Sequence, residues 1–178
     1  MFLKYLHIKK NGSTLRKINF KKGVNLIVDT TPKSEIKETG NNVGKTTVLR
    51  LVDYCLGSNG KDIYQGTEFK DVNKEVEDFL VNNNIEIILS LVPSLDEENQ
   101  ELILKRNFLK RKNKIAEING ENMPNIRKEY NPELKKLIFG ISSEKPTFRQ
   151  IIPRFIRNDA HKMNNILKYL PVGKDTVY

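Results

Sequence analysis

Tryptophan is absent from this 178-residue chain, and cysteine occurs once, at Cys55. A single cysteine excludes an internal disulfide and any multi-cysteine metal site, and it fits a reducing, cytoplasmic setting. Histidine is nearly as scarce. His161 has no second histidine or acid at ligand spacing, so it reads as a surface residue, and His7 lies inside a strand pattern and reads as structural. No stretch approaches the run of about eighteen or more apolar residues that a membrane helix needs, so no membrane partner is expected. The opening MFLKYLHIKKNG mixes lysines among its apolar residues at once, unlike a secretory signal. No internal repeat and no low-complexity linker interrupts the chain.

Carboxylates are in deficit: 31 Lys+Arg face 22 Asp+Glu, a formal charge of +9. Such a balance draws polyanions, so nucleic acid, DNA included, is a reasonable partner, while a lysine-rich genome alone gives the same composition. Arg106, Lys110, Arg111 and Lys112 can meet a phosphate backbone or simply solvate a hairpin. Arg149, Arg154 and Arg157 fall at five- and three-residue spacing and raise the same question.

What is present reads as strands, a loop-to-helix turn, then more strands and helices: an α/β chain with a mixed α+β lobe. Strands are predicted over 2–8 and 14–20, joined by a turn at NGS. VNLIVD, with Val24, Leu26, Ile27 and Val28, has the length and branching of a buried strand. Val48, Leu51, Val52 and Cys55 recur at helical spacing and Gly57 stops the run, with Cys55 on the core face. A short helix is predicted from Asp71 to Leu80. Further strands follow over 85–92, 101–109 and 113–120, the last two joined through KRKN. Asn131-Pro132 predicts an N-cap and first turn for a helix closed at Gly140, and PTFRQII predicts another helical piece broken at Pro153. HKMNNILKYL is a last helical segment. We expect one domain in three parts: 1–60, 61–140 and 141–178.

Residues 39–47, TGNNVGKTT, carry the chemistry. A phosphate-binding loop, G-x-x-x-x-G-K-[ST], curls successive backbone N–H groups around phosphate oxygens at the positive end of a helix. Here Gly44, Lys45 and Thr46 fill the second half, with Lys45 as phosphate ligand in a surface loop and Thr46 as the Mg2+ ligand. Thr39 stands in the first glycine slot, and Gly40 next door can absorb the shifted turn. Asn42 tolerates left-handed backbone angles better than most residues. The expected ATP cradle is therefore Thr39, Gly40, Asn41, Asn42, Val43, Gly44, Lys45, Thr46 and Thr47. The partner motifs are missing. The nearest second carboxylate, Asp96-Glu97 in LVPSLDEE, follows a proline break, and no N-K-x-D or LSGG-type signature occurs.

The layout resembles the first half of SMC-like ATPase heads, the RecF/RecN and break-repair group of the ABC class. INFKKGVNLIV, GNNVGKTTVLRLVDYCLG, IEIILSL with LILKRNFL, INGENMP and PTFRQIIPRFIR carry the resemblance, of which only the loop is sharply specific. In those heads the signature, second carboxylate and switch histidine lie beyond a coiled coil. The resemblance thus implies the N-terminal portion of a P-loop head, with the root of a coiled-coil arm in 141–178. It implies ATP and Mg2+ as cofactors, and a C-terminal half or a second head as partner for hydrolysis. DNA handling in repair or defence is the implied setting. It also makes Gln150 a Q-loop residue, touching Mg2+ and the attacking water. Two other readings stay open: a self-contained small P-loop kinase or NTPase, and a basic nucleic-acid-binding module with a vestigial loop.

Overall fold

In the computed structural model, which describes residues 1–28, 44–66, 71–96 and 100–156, the first two predicted strands form as β1 (Phe2–Lys10) and β2 (Ser13–Asn19). Their joint is Asn11-Gly12, with φ of 48° and 81°. Two successive left-handed residues give the tight turn whose twist matches antiparallel strands. His7 Nε2 and Thr14 Oγ1, on the two strands, share a hydrogen bond at 2.9 Å. Burial, with Lys9 and Lys17 nearby, holds the His7 imidazole below its ordinary pKa.

The sheet has six strands in the order β2-β1-β3-β4-β5-β6, with β3 (Ile85–Val92), β4 (Leu102–Asn107), β5 (Ala116–Ile118) and β6 (Glu121–Asn122). Every neighbouring pair is antiparallel, so the described residues form an α+β architecture rather than an α/β one. β3 is flanked on both sides, and this explains its composition. Ile85, Ile87, Leu89 and Leu91 alternate onto one buried face, while Ser90 and Val92 are buried on the other. The helix predicted after the loop is α1 (Lys45–Cys55), and it lays Val48, Leu51, Val52 and Cys55 onto β3 and β4. Each such side chain stabilises the fold by about 1.5–3 kcal/mol through removal from water.

Three expectations need correction. VNLIVD is not a buried strand: residues 21–28 join no strand, and Val24, Leu26 and Val28 are 87%, 80% and 65% exposed. Both edges of β1 are already taken, by β2 and β3. The Asn25 side chain folds back instead, accepting from Lys21 N at 2.8 Å and donating to Lys21 O at 2.8 Å. The second helix, α2 (Lys74–Asn82), starts later than predicted, because Val72 is held extended in a bridge to Gln65 and Asn73 then takes the cap from Val76 N. Asn131 is not an N-cap. A π-helical turn over Ile126–Tyr130, capped by Asn125, runs straight into α3 (Asn131–Phe139), so Asn131 is a buried interior residue. The wide turn lies where Pro132 has no N–H to return to the preceding turn.

The closing elements follow the sequence. Gly140 ends α3 at φ 68°, and α4 (Phe148–Ile151) passes into a 3-10 turn at Pro153. β6 was not anticipated, although Asn119-Gly120, with φ of 51° and 86°, is a two-residue hairpin signal. The segment HKMNNILKYL, His161 and Arg157 lie outside the described residues. No helix among the described residues is long and apolar enough to cross a membrane.

Candidate functional site

Gly44 stands immediately before α1 in the left-handed region, φ 70° and ψ 20°. A Cβ there would meet only Thr47 at 3.9 Å, so backbone angle rather than space explains the glycine. Gly44 O accepts from Val48 N at 3.2 Å and starts the helical ladder. Among the described residues no side chain caps this end, and the first turn carries no acidic residue. The first amides of an eleven-residue helix thus receive no side-chain acceptor from the described residues at the positive end of the dipole. Thr46 is exposed beside them. Thr39, Gly40, Asn41, Asn42 and Val43 lie outside the described residues, and Lys45 opens the helix rather than sitting in the loop before it.

Gln150, the expected Q-loop residue, is used locally. Its Oε1 accepts from Thr147 N at 2.7 Å, while the Thr147 side chain accepts from the Gln150 amide, a reciprocal box that starts α4. The oxygen that would face Mg2+ is the one that caps the helix, and freeing it costs about 1 kcal/mol of capping. Asp96 pairs with Lys22 on the surface. Its neighbour Glu97 lies outside the described residues.

The other end of α1 is densely built. The helix has no basic residue in its own last turn, yet its final carbonyls are all answered. Arg106, on β4, donates from Nη1 to Tyr54 O and, at 2.8 Å, to Ser58 O, with its guanidinium 3.8 Å above the Tyr54 ring. Arg149 donates to Leu56 O at 3.0 Å and forks onto Asp53 at 2.7 and 3.1 Å. Tyr130 OH donates to Cys55 O at 2.7 Å, and Tyr54 OH donates to Asn107 O. Two arginines thus complement the negative end of the helix dipole from outside the helix. That arrangement corrects the DNA assignment of Arg106 and Arg149. Arg106 is buried and Arg149 is held in an ion pair, whereas Lys110, Arg111, Lys112 and Arg154 remain exposed.

Burial governs the titration of this end. It pushes the Tyr54 hydroxyl up to about 12 against the opposing effect of Arg106, and it raises Tyr130 well above its usual range. The Cys55 thiol, fully buried, is likewise pushed up to about 12. Cys55 in the folded chain is therefore expected to resist iodoacetamide at pH 8 for hours and to react within minutes in denaturant, as intact-mass spectrometry will read. Fast labelling without denaturant would mean that α1 opens readily.

Asp53, Tyr54, Tyr130 and Lys135 had no functional reading from sequence. The signal that can find such groups is a helix whose last turn lacks its own cations, which asks for caps from elsewhere. Compared with known proteins, the chain matches no family model, and no curated sequence matches it.

Proposed function

We propose that this chain is the ATP- and Mg2+-binding N-terminal portion of an SMC-like, ABC-class ATPase head. On this reading it requires a C-terminal half or a second head for hydrolysis and serves in DNA handling. The observation that carries the reading is the start of α1. A left-handed Gly44 leads directly into the helix at Lys45-Thr46, with no side-chain cap among the described residues and no carboxylate in the first turn. A phosphate chain needs such a helix start, and on this reading Lys45 would meet the β- and γ-phosphates and Thr46 would take Mg2+.

A second feature supports dependence on a partner. Val24, Leu26 and Val28 form a strand-like apolar run left mostly in water, and the described sheet gives it no neighbour. Such a run gains stability when strands from elsewhere pair with it. The absence of a second carboxylate motif in the sequence gives the same expectation for catalysis, since such a carboxylate positions the attacking water.

Calorimetry with ATP-γ-S and Mg2+, together with turnover measured at several protein concentrations, tests this. We expect binding with negligible turnover at low concentration. Robust turnover, linear in enzyme concentration, would replace this reading with a self-contained P-loop enzyme. Absence of binding would make the loop vestigial.

A further inference from the structure

At the C-terminal end of α1, roughly 15 Å along the helix from Gly44 at 1.5 Å per residue, a cavity of about 1130 Å³ opens between α1, the β4–β5 hairpin, α3 and the segment leading into α4. Two buried cationic side chains line it: Arg106, 3% exposed, and Lys135, 2% exposed. Neither makes an ion pair among the described residues. Arg106 directs both of its hydrogen bonds through Nη1 to carbonyl oxygens, and its Nε is buried without an acceptor. Lys135 Nζ meets only Ser143, through the carbonyl at 2.5 Å and the hydroxyl at 3.4 Å.

The nearby carboxylates do not fill this need. Asp53 is committed to Arg149 and Glu77 to Lys110. Around the whole lining, cations outnumber carboxylates seven to four. Lys114, at the rim, is held below its ordinary pKa by burial and then by Arg106, as expected where positive charge is already concentrated. Burying cations without counter-charge is costly, and a bound anion offsets that cost.

We propose that this cavity is a second ligand site, separate from the proposed nucleotide loop, that takes a small phosphate-bearing molecule. A phosphate monoester or pyrophosphate group brings close to two negative charges and several acceptor oxygens at once, matching two cations that lack a carboxylate partner better than a lone carboxylate does. The Arg106 Nε–H lacks a protein acceptor, and the Ser142 hydroxyl at the wall adds a donor. The Tyr54–Phe108 stack, with ring centroids 4.6 Å apart, gives the organic part of such a ligand an apolar wall.

Pyrophosphate is the probe, titrated by calorimetry without Mg2+ into the full chain and its variants. Lys45→Ala, which disables the loop on the proposed reading, is expected to remove any pyrophosphate binding there and to leave binding at the cavity within about twofold. The rim variant Lys114→Gln/Arg127→Gln is expected to weaken binding about tenfold or more, since removing a charge-assisted hydrogen bond to the anion costs on that order. Lys135→Met should do the same if its circular dichroism matches the parent. Because both rim residues are at least partly exposed, the double variant keeps its fold and the proposal stays testable even if Lys135→Met unfolds. Loss of pyrophosphate binding in Lys45→Ala would place the anion at the loop and overturn the proposal. Parental affinity in the rim variant, or no binding up to about 10 mM, roughly the weakest affinity worth a specific interaction, would overturn it too. ATP-γ-S binding to the rim variant reads the loop independently, so the two sites can fail separately.

Discussion

Lys45→Ala should leave the fold intact while lowering ATP affinity about a hundredfold or more, because the substitution removes the point charge that the proposed site supplies to two phosphates. The stability half of this expectation comes from helix α1. Its buried stripe is Val48, Leu51, Val52 and Cys55, and Lys45 opens the helix ahead of that stripe. Alanine is the best helix former, so the first turn loses nothing in propensity. The measurements are calorimetric affinity for ATP-γ-S and a thermal melt. A folded variant that binds as well as the parent removes Lys45 from the site and the nucleotide reading with it. A variant that fails to fold would instead show that the first turn of α1 carries stability beyond its buried stripe.

Gly57→Ala is expected to destabilise the chain by about 3 kcal/mol, or roughly 6–12 °C in Tm for a domain of this size. Two costs add. Gly57 holds φ at +87°, where a side chain costs about 1–2 kcal/mol. The new Cβ would also lie 1.9 Å from Asn131 Oδ1 and 2.9 Å from its Cγ, an overlap that the buried Asn131 side chain must turn away to relieve, or α3 must shift. Two comparisons separate these costs. Gly140→Ala carries the backbone cost alone, at φ +68° with no atom within 4 Å of the Cβ, and should cost about 1 kcal/mol. Adding Asn131→Ala to Gly57→Ala should recover the steric part, giving a coupling of about 1 kcal/mol or more in a double-mutant cycle. Strict additivity would mean that the α1–α3 junction relaxes freely and that its packing is not tight in solution.

Local pattern was legible wherever the chain makes its own argument. The Asn11-Gly12 turn, the α1 stripe, the apolar β3 and the Gly140 stop all follow from two-residue and helical periods and from backbone angles that glycine and asparagine tolerate. Gly44 and Lys45 belong to the same class, since a glycine before a helix is a local demand. Where legibility failed, a partner had to be known. VNLIVD has the composition of a buried strand, but burial needs a neighbour, and β1 had already used both of its edges. Asn131-Pro132 looked like a helix start until Asn125 captured the cap one turn earlier.

Charge shows the same division most clearly. From the sequence alone Arg106, Arg149 and Lys112 are equivalent basic residues, and the chain's excess of them suggests a polyanion partner. Long-range packing separates them. β4 carries Arg106 under Tyr54 and α4 carries Arg149 to Asp53, so both answer carbonyls at the end of α1, while Lys112 stays in water. The sequence by itself determined most of the elements and the glycine that precedes α1, because those depend on neighbours a few residues apart. Only the tertiary structure decided which cations are internal caps, which stay in water, and which apolar run is left uncovered, because each of those outcomes depends on what lies across the fold.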